Sequence, residues 1–327
     1  MVTRCPPVDT SNADIDPDRY AVHRASPRGL TQAYVHEGAG GAGPLVLVHG
    51  WPESKRIWWR VIGPLAAAGF EVVVPDLRGF GDSDVSPDGL HDVASHSADV
   101  HALVTDHLGH DSAVLVGGDL GGPVIQDMAL RHPEAYRRMV LFNSPLPYDK
   151  ERMAGMTSRA PREASDYFVR QGTDPDGLAA ELATPEQRRR YIATFYTSRF
   201  WAHPGAFLTS ADLAPAGRFG GSPSVDFHTE PFADAAHLRA SFGAYESVFS
   251  ESARAQPPMI ARNEAVEALL LFGPSDHVLY PDFDRMAAVT FPNHVGPFLL
   301  RDCGHFVPWE ASTQLVSAIR AFCRDLL

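Results

Sequence analysis

Short apolar runs bounded by turn residues alternate along this chain with segments of helical period. "PLVLVHG" (44–50), "FEVVVPDLRG" (70–79), "SAVLVGG" (112–118), "RMVLFNS" (138–144), "VEALLLFG" (266–273) and "GPFLLRDCGH" (296–305) read as strands. "RIWWRVIGPLAAAG" (56–69), "SADVHALVTDHLG" (97–109), a stretch from about Gly121 to His132 and the closing "STQLVSAIRAFCRDLL" read as helices. This alternation predicts an α/β fold whose mostly parallel sheet is covered by helices on both faces. "AVHRAS" and "QAYVHEG" predict an antiparallel hairpin at one edge.

Residues 145–262 have another texture, rich in Arg, Ala, Phe and Tyr. "TPEQRRRYIATFYTSRFW" and "DAAHLRASFGAYESVF" are helical in pattern, and a Gly/Pro/Ser-rich excursion lies at 214–224. The sheet pattern resumes beyond this segment. It therefore reads as a mainly helical cap inserted into one core made of residues 1–144 and 263–327, with 1–15 as a loose tail.

"VLVGGDLGGPVIQD" (114–127) joins a buried strand to a helix through a turn crowded with glycines around Asp119. Aspartate has no packing role there, and glycine weakens any regular element. A sharp strand–turn–helix elbow needs small neighbours, which Gly117, Gly121 and Gly122 supply, so that one side chain is lifted off the sheet. No G-x-S-x-G occurs anywhere in the chain, and the elbow position holds a carboxylate. A carboxylate presented in this way is a nucleophile.

An Asp that merely capped the next helix would not call for an acid and a histidine downstream. Both are present in the required order. "LLLFGPSDHVLYP" puts Asp276 in the loop after one strand, and "LLRDCGHFVPWE" puts His305 in the loop after the next. Catalytic groups of such sheets sit at the carboxyl ends of strands. Backbone N–H groups of Leu120, after the nucleophile, and of Trp51, in "HGWPES" (49–54), are the expected oxyanion donors.

Together, "HGWPES", "PDLRGFGDSD", "GGDLGG" and "CGHFVPWE" resemble the signature set of aspartate-nucleophile α/β hydrolases, the group of epoxide hydrolases and haloalkane dehalogenases. The resemblance covers about residues 20–327 and implies an α/β-hydrolase fold. It also implies an alkyl-ester intermediate on Asp119, hydrolysed by water that His305, oriented by Asp276, activates.

The leaving group separates the two chemistries. Dehalogenases of this kind hold halide with a Trp directly after the nucleophile, where this chain has Leu120, and with an Asn or another Trp; Trp51, not Asn, follows His-Gly here. Fluoroacetate-type relatives place arginines just after the nucleophile, where this chain has Leu120 and Pro123. Epoxide hydrolases take proton donors from the cap. Tyr245 in "LRASFGAYESVF" falls where the second cap tyrosine of that group sits, although Glu246 stands where an arginine often follows. Tyr167 in "EASDYFVRQG" is the looser match for the first, with Tyr191 and Tyr196 as competitors. The resemblance thus implies an epoxide hydrolase, with a haloalkane dehalogenase-type hydrolase as the alternative. A non-catalytic ligand-binding protein on the same fold is the third reading, which the joint presence of Asp119, Asp276 and His305 disfavours.

Composition trims the options further. A formal net charge of −12 argues against a nucleic-acid partner. Three cysteines (Cys5, Cys303, Cys323) are too few for a disulfide framework or a zinc site. No run approaches membrane-spanning length, and the N-terminus lacks a signal-peptide core, so a cytoplasmic location is expected. The implied partners are a small apolar epoxide and water, with no cofactor, metal or membrane; assembly is open, a homodimer among the options. Phe168, Phe195, Phe200, Trp201, Phe242 and Phe249 suggest an apolar pocket.

Other features read as structural. "GAGGAG" (38–43) fits a dinucleotide fingerprint but leads into a strand, so it is expected to be a hairpin turn. Histidines 91, 96, 101, 107 and 110 are mostly spaced too widely for one helical face and are expected on a solvated one. His49 is expected to fix the oxyanion loop and Arg78 to brace its own loop. Asn143, which cannot replace the acid, is a candidate contact for His305.

Overall fold

The computed structural model describes residues 12–157, 162–207, 222–279 and 281–327. The expected tail falls, up to residue 11, outside the described residues, as does the 214–224 excursion up to residue 221.

Eight strands form one sheet: β1 (Val22–Ala25), β2 (Gln32–Glu37), β3 (Ala42–Val48), β4 (Phe70–Pro75), β5 (Val114–Gly118), β6 (Arg138–Phe142), β7 (Glu267–Phe272) and β8 (His294–Leu299). Their order is β1-β2-β4-β3-β5-β6-β7-β8. β1 and β2 pair antiparallel, as do β2 and β4, and the remaining pairs are parallel. The central strands carry unbroken apolar runs because helices cover both faces; Leu45 to Val48 are wholly buried.

Helices α1 (Trp59–Ala67), α2 (Val93–Ala102) and α3 (Gly121–Arg131) follow β3, β4 and β5. Between β6 and β7 lie the cap helices α4 (Arg162–Thr173), α5 (Pro175–Glu181), α6 (Pro185–Tyr196), α7 (Pro223–Thr229), α8 (Ala235–Ser241) and α9 (Gly243–Phe249). Helices α10 (Phe283–Thr290), α11 (Val307–Glu310) and α12 (Ser312–Phe322) complete the core. From β3 the chain steps one way to β4, then the other way from β4 towards β8. Right-handed crossovers therefore put α1 on one face and α2, α3 and α10 on the other. The packing agrees: α1 lies against α12, and α2 against α3.

Three expectations change. The glycine-rich turn joins β2 to β3 but makes no hairpin, because β4 lies between those strands. Gly38 and Gly40 take φ of +68° and +79° to make this turn. The "DAAHLRASFGAYESVF" helix is two short helices, split at Phe242.

The third concerns the histidines. α2 starts at Val93, capped by the Asp92 carboxylate, which accepts from the N–H groups of Ala94 and Ser95. The histidines are only partly solvated: His91, just before the helix, and His96 are buried, His101 and His110 are half-buried, and His107 is exposed. A Cβ on Gly243 of the cap would lie 2.7 Å from that of His91, and the Ala255 N–H donates to Asp92 at 3.1 Å. The cap thus covers a surface that helical periodicity leaves open. The histidines do not converge either. His101 stacks on His132 with ring centroids 3.6 Å apart, His107 meets the Tyr34 hydroxyl at 3.1 Å, and His110 meets Glu71 at 3.0 Å.

Candidate active site

The elbow between β5 and α3 holds Asp119 at φ +45°, a left-handed backbone that a non-glycine residue adopts only under constraint. Its neighbours leave no alternative. A Cβ on Gly121 would collide with the Val48 carbonyl oxygen, and one on Gly50 would sit 2.5 Å from the Asp119 Cβ. The Asp119 N–H donates to the Asn143 carbonyl at 2.8 Å, which ties the elbow to the end of β6.

The carboxylate of Asp119 is buried, and its two oxygens differ. Oδ1 accepts from the Trp51 N–H at 2.6 Å. Oδ2 faces His305 Nε2 at 3.2 Å, an ion-pair contact without the aim of a full hydrogen bond. On the far side of the ring, Nδ1 donates to Asp276 Oδ2 at 2.9 Å. Asp276 Oδ1 accepts in turn from the Val278 N–H at 2.8 Å. The fold thus brings Asp119, Asp276 and His305 into one line from the ends of three parallel strands. Leu120 follows Asp119 directly and precedes the first residue of α3.

Burial pulls the His305 imidazole towards its neutral form. The charges of Asp276 and Asp119 outweigh that, and the group lies well above the ordinary histidine value. The two flanking carboxyl groups thus favour the charged form of the ring.

Trp51 connects the loop after β3 to the cap. Its peptide bond to Pro52 is cis, and its indole Nε1 donates to Ser241 Oγ of α8 at 3.1 Å. Tyr167 of α4 stacks on this indole at 5.3 Å with rings 5° from parallel, while Phe195 and Tyr245 meet it edge-on. Tyr167 and Tyr245 pack edge to face, with ring centroids 5.7 Å apart. Burial first, and then the Asp119 charge among other neighbours, raises both phenols well above their ordinary value.

Tyr191 and Tyr196 are occupied elsewhere. The Tyr191 hydroxyl accepts from Gln171 at 2.9 Å. The Tyr196 hydroxyl donates to the Pro52 carbonyl at 2.6 Å.

Loop residues around the site have definite partners. His49 Nδ1 donates to its neighbour's carbonyl at 2.8 Å, and Nε2 accepts from the Leu77 N–H at 3.0 Å, which fixes a neutral ring. Arg78 grips Asp99 with two bonds of 2.6 and 2.8 Å. Asn143 does not touch the His305 ring. Its amide donates to the Gly304 carbonyl at 2.8 Å and accepts from the Gly273 N–H at 3.0 Å, bracing both neighbouring loops instead.

Two roles were not anticipated, that of Trp201, expected only to line an apolar pocket, and that of Glu53. Trp201 presents its edge to the His305 ring at 4.5 Å, and its carbonyl accepts the His305 N–H at 2.7 Å. Glu53 is buried within the loop after β3, where it accepts from the Gly50 N–H at 2.6 Å. Burial and the Asp119 charge push its carboxyl up to about 8. Its place in "HGWPES" was the only sequence signal.

The alpha/beta hydrolase fold family profile matches residues 43–312, more than four-fifths of the chain. This chain belongs to the α/β-hydrolase fold family. Within it, the chain is 28% identical to the bifunctional epoxide hydrolase 2 of Sus scrofa over 296 residues, 84% of this chain. It spans only about half of that longer protein, 50% of its length. The epoxide hydrolase of Caballeronia sordidicola is 25% identical over 304 residues, covering 88% of this chain and 89% of that one. The solved structure of the epoxide hydrolase CorEH without ligand superposes with a TM-score of 0.75 at 24% identity, over 94% of this chain and 99% of that one, a likeness of fold. In this α/β hydrolase no helix among the described residues is long and apolar enough to cross a membrane.

Proposed function

We propose that this protein is an epoxide hydrolase that converts an oxirane and water into a vicinal diol through an ester on Asp119. The observation that carries the reading is the environment of one carboxylate. Its Oδ1 is already bonded to the Trp51 N–H, its Oδ2 faces His305, and two neutral phenols lie close enough to feel its charge.

In the first step Oδ2 attacks a ring carbon and the carbon–oxygen bond of the oxirane breaks. The departing oxygen takes a proton from Tyr245 or Tyr167. Esterification consumes the Asp119 charge that holds the His305 proton and that keeps both phenols from ionising. His305 then sheds its proton, which restores the phenol, and becomes a neutral base. In the second step it takes a proton from water, and the hydroxide attacks the ester carbonyl carbon. The negative charge collects on Oδ1, where the Trp51 N–H is in place and the Leu120 N–H is the second donor. Collapse breaks the bond between the carbonyl carbon and Oδ2, and the departing alkoxide takes the proton of the added hydroxyl. The diol leaves with Oδ2 while the water oxygen completes the Asp119 carboxylate.

Halide release is the second reading. It is disfavoured by Trp51, whose indole N–H is spent on Ser241, and by Leu120 at the position after the nucleophile. A panel of aryl and alkyl epoxides beside haloalkanes, scored for diol and for halide, separates the two. His305→Gln incubated with an epoxide should stop at the ester, one substrate mass heavier by intact-mass spectrometry. Normal turnover without an adduct would sink the covalent mechanism.

A further inference from the structure

Glu310, in the short helix that follows the histidine loop, makes no contact with the substrate side of the site. Its carboxylate is nevertheless used in full. Oε2 accepts from the Gly304 N–H and from the His203 N–H, both at 2.8 Å. Oε1 accepts from the Phe306 N–H at 2.9 Å. Gly304 and Phe306 flank His305 on either side. The His305 N–H itself goes to the Trp201 carbonyl at 2.7 Å. Three successive N–H groups of the histidine loop are therefore held, two by one carboxylate and one by the cap.

The cap segment 200–203 also reaches the acid loop. The Phe200 carbonyl accepts from the His277 N–H at 2.9 Å, and the His203 ring meets Ser275 Oγ at 3.0 Å. The approach is close: a Cβ on Gly304 would collide with the Trp201 carbonyl and lie 2.7 Å from the His203 nitrogen. Burial pushes the Glu310 carboxyl up to about 7, against the three N–H donors that favour its charge. A carboxylate kept there at that cost has work beyond filling space.

We infer that Glu310 is a positioning residue that clamps the histidine loop to the cap segment 200–203, and that it serves the hydrolytic half-reaction selectively. This rests on the ester mechanism above. Alkylation needs Asp119 and a phenol, neither of which Glu310 holds. Hydrolysis needs His305 Nε2 aimed at a water, and a displacement of about 1 Å in such a group can cost 10²-fold in rate.

The test uses Glu310→Gln and Glu310→Asp in the full chain, with styrene oxide or whichever epoxide of the panel the wild type opens fastest. Glutamine sets an NH₂ against one of the three N–H donors. Aspartate keeps the charge on an arm too short to reach all three, and tests the same point should the glutamine variant fail to fold. Rapid-quench mass spectrometry should show alkylation within about 3-fold of wild type and ester hydrolysis slowed about 10- to 100-fold. The ester should accumulate, and kcat and KM should fall together so that kcat/KM is nearly unchanged.

A purely structural role predicts otherwise: a lower melting temperature with both half-reactions slowed alike, or no kinetic change at all. Either outcome overturns the inference. If His305→Gln forms no ester, the mechanism itself fails. If His305→Gln forms the ester but Glu310→Gln does not accumulate it, only the role of Glu310 fails.

Discussion

Tyr167 and Tyr245 show how one charge can prepare a pair of acids. Both phenols are raised by burial and by the Asp119 carboxylate among other neighbours, so both keep their protons at any working pH. In the proposed mechanism the Asp119 part of that raising would vanish when Asp119 became an ester, the moment at which a proton is needed. Because the two rings pack together, with centroids 5.7 Å apart, each hydroxyl can cover in part for the other. Tyr245→Phe and Tyr167→Phe should each retain some epoxide opening, and the double variant should lose roughly 10²–10⁴ in rate. Single-turnover assays check this. If the double variant opened epoxide at the wild-type rate, both residues would leave the mechanism.

Among the elements, the ends of β5, β6, β7 and β8 act together, since one amide spans the loops that follow them. Asn143 sits at φ +35°, a conformation that asparagine tolerates better than most residues. Asn143→Ala would leave the buried Gly273 N–H and Gly304 carbonyl without this partner, at a cost of about 1–3 kcal/mol. Urea unfolding should show that loss; a change below about 0.5 kcal/mol, the scale of ordinary surface substitutions, would mean the brace is idle.

The loops after β3 and β4 are joined by a charged pair. Lys55 is almost fully buried and its Nζ meets Asp76 at 2.5 Å, with a second contact to Asp82. Asp76 also accepts from the backbone N–H groups of Lys55 and Asp82, each at 2.8 Å. Lys55→Met removes one partner and strands the other, which typically costs about 3–5 kcal/mol. The same denaturation experiment measures it, and a neutral result would show that Asp76 is satisfied by its N–H donors alone.

For the whole molecule, the buried His305 ring, raised above its ordinary value, links stability to pH. The folded-state value of His305 lies above its unfolded one, so its contribution to stability is fully present below about pH 6.5. It is lost as pH rises through the folded value. The melting temperature of the wild type relative to His305→Gln should therefore decline from about pH 6 to pH 9. A difference independent of pH would mean that His305 is neutral in the resting protein. The cap belongs to this scale too. It covers His91, stacks on Trp51 and holds the His305 N–H, so core and cap build the site jointly.

The sequence alone determined the sheet, because unbroken apolar runs have no stable place except between two helical layers. It also determined the elbow, because only small residues fit beside a backbone turned as sharply as at Asp119. The order of Asp119, Asp276 and His305 after successive strands was legible for the same reason: parallel strands bring their carboxyl ends to one edge. Only the tertiary structure decided the rest. His91, just before α2, is covered by a cap residue some 150 positions away in sequence, Asn143 braces two loops and not the His305 ring, and Tyr196 is drawn off to Pro52. The Trp201 carbonyl holds the His305 N–H, and the Glu310 carboxylate holds the N–H groups of Gly304 and Phe306 on either side. The partners in all these bonds are backbone groups that every residue carries, so the sequence left no mark of which of them would be held.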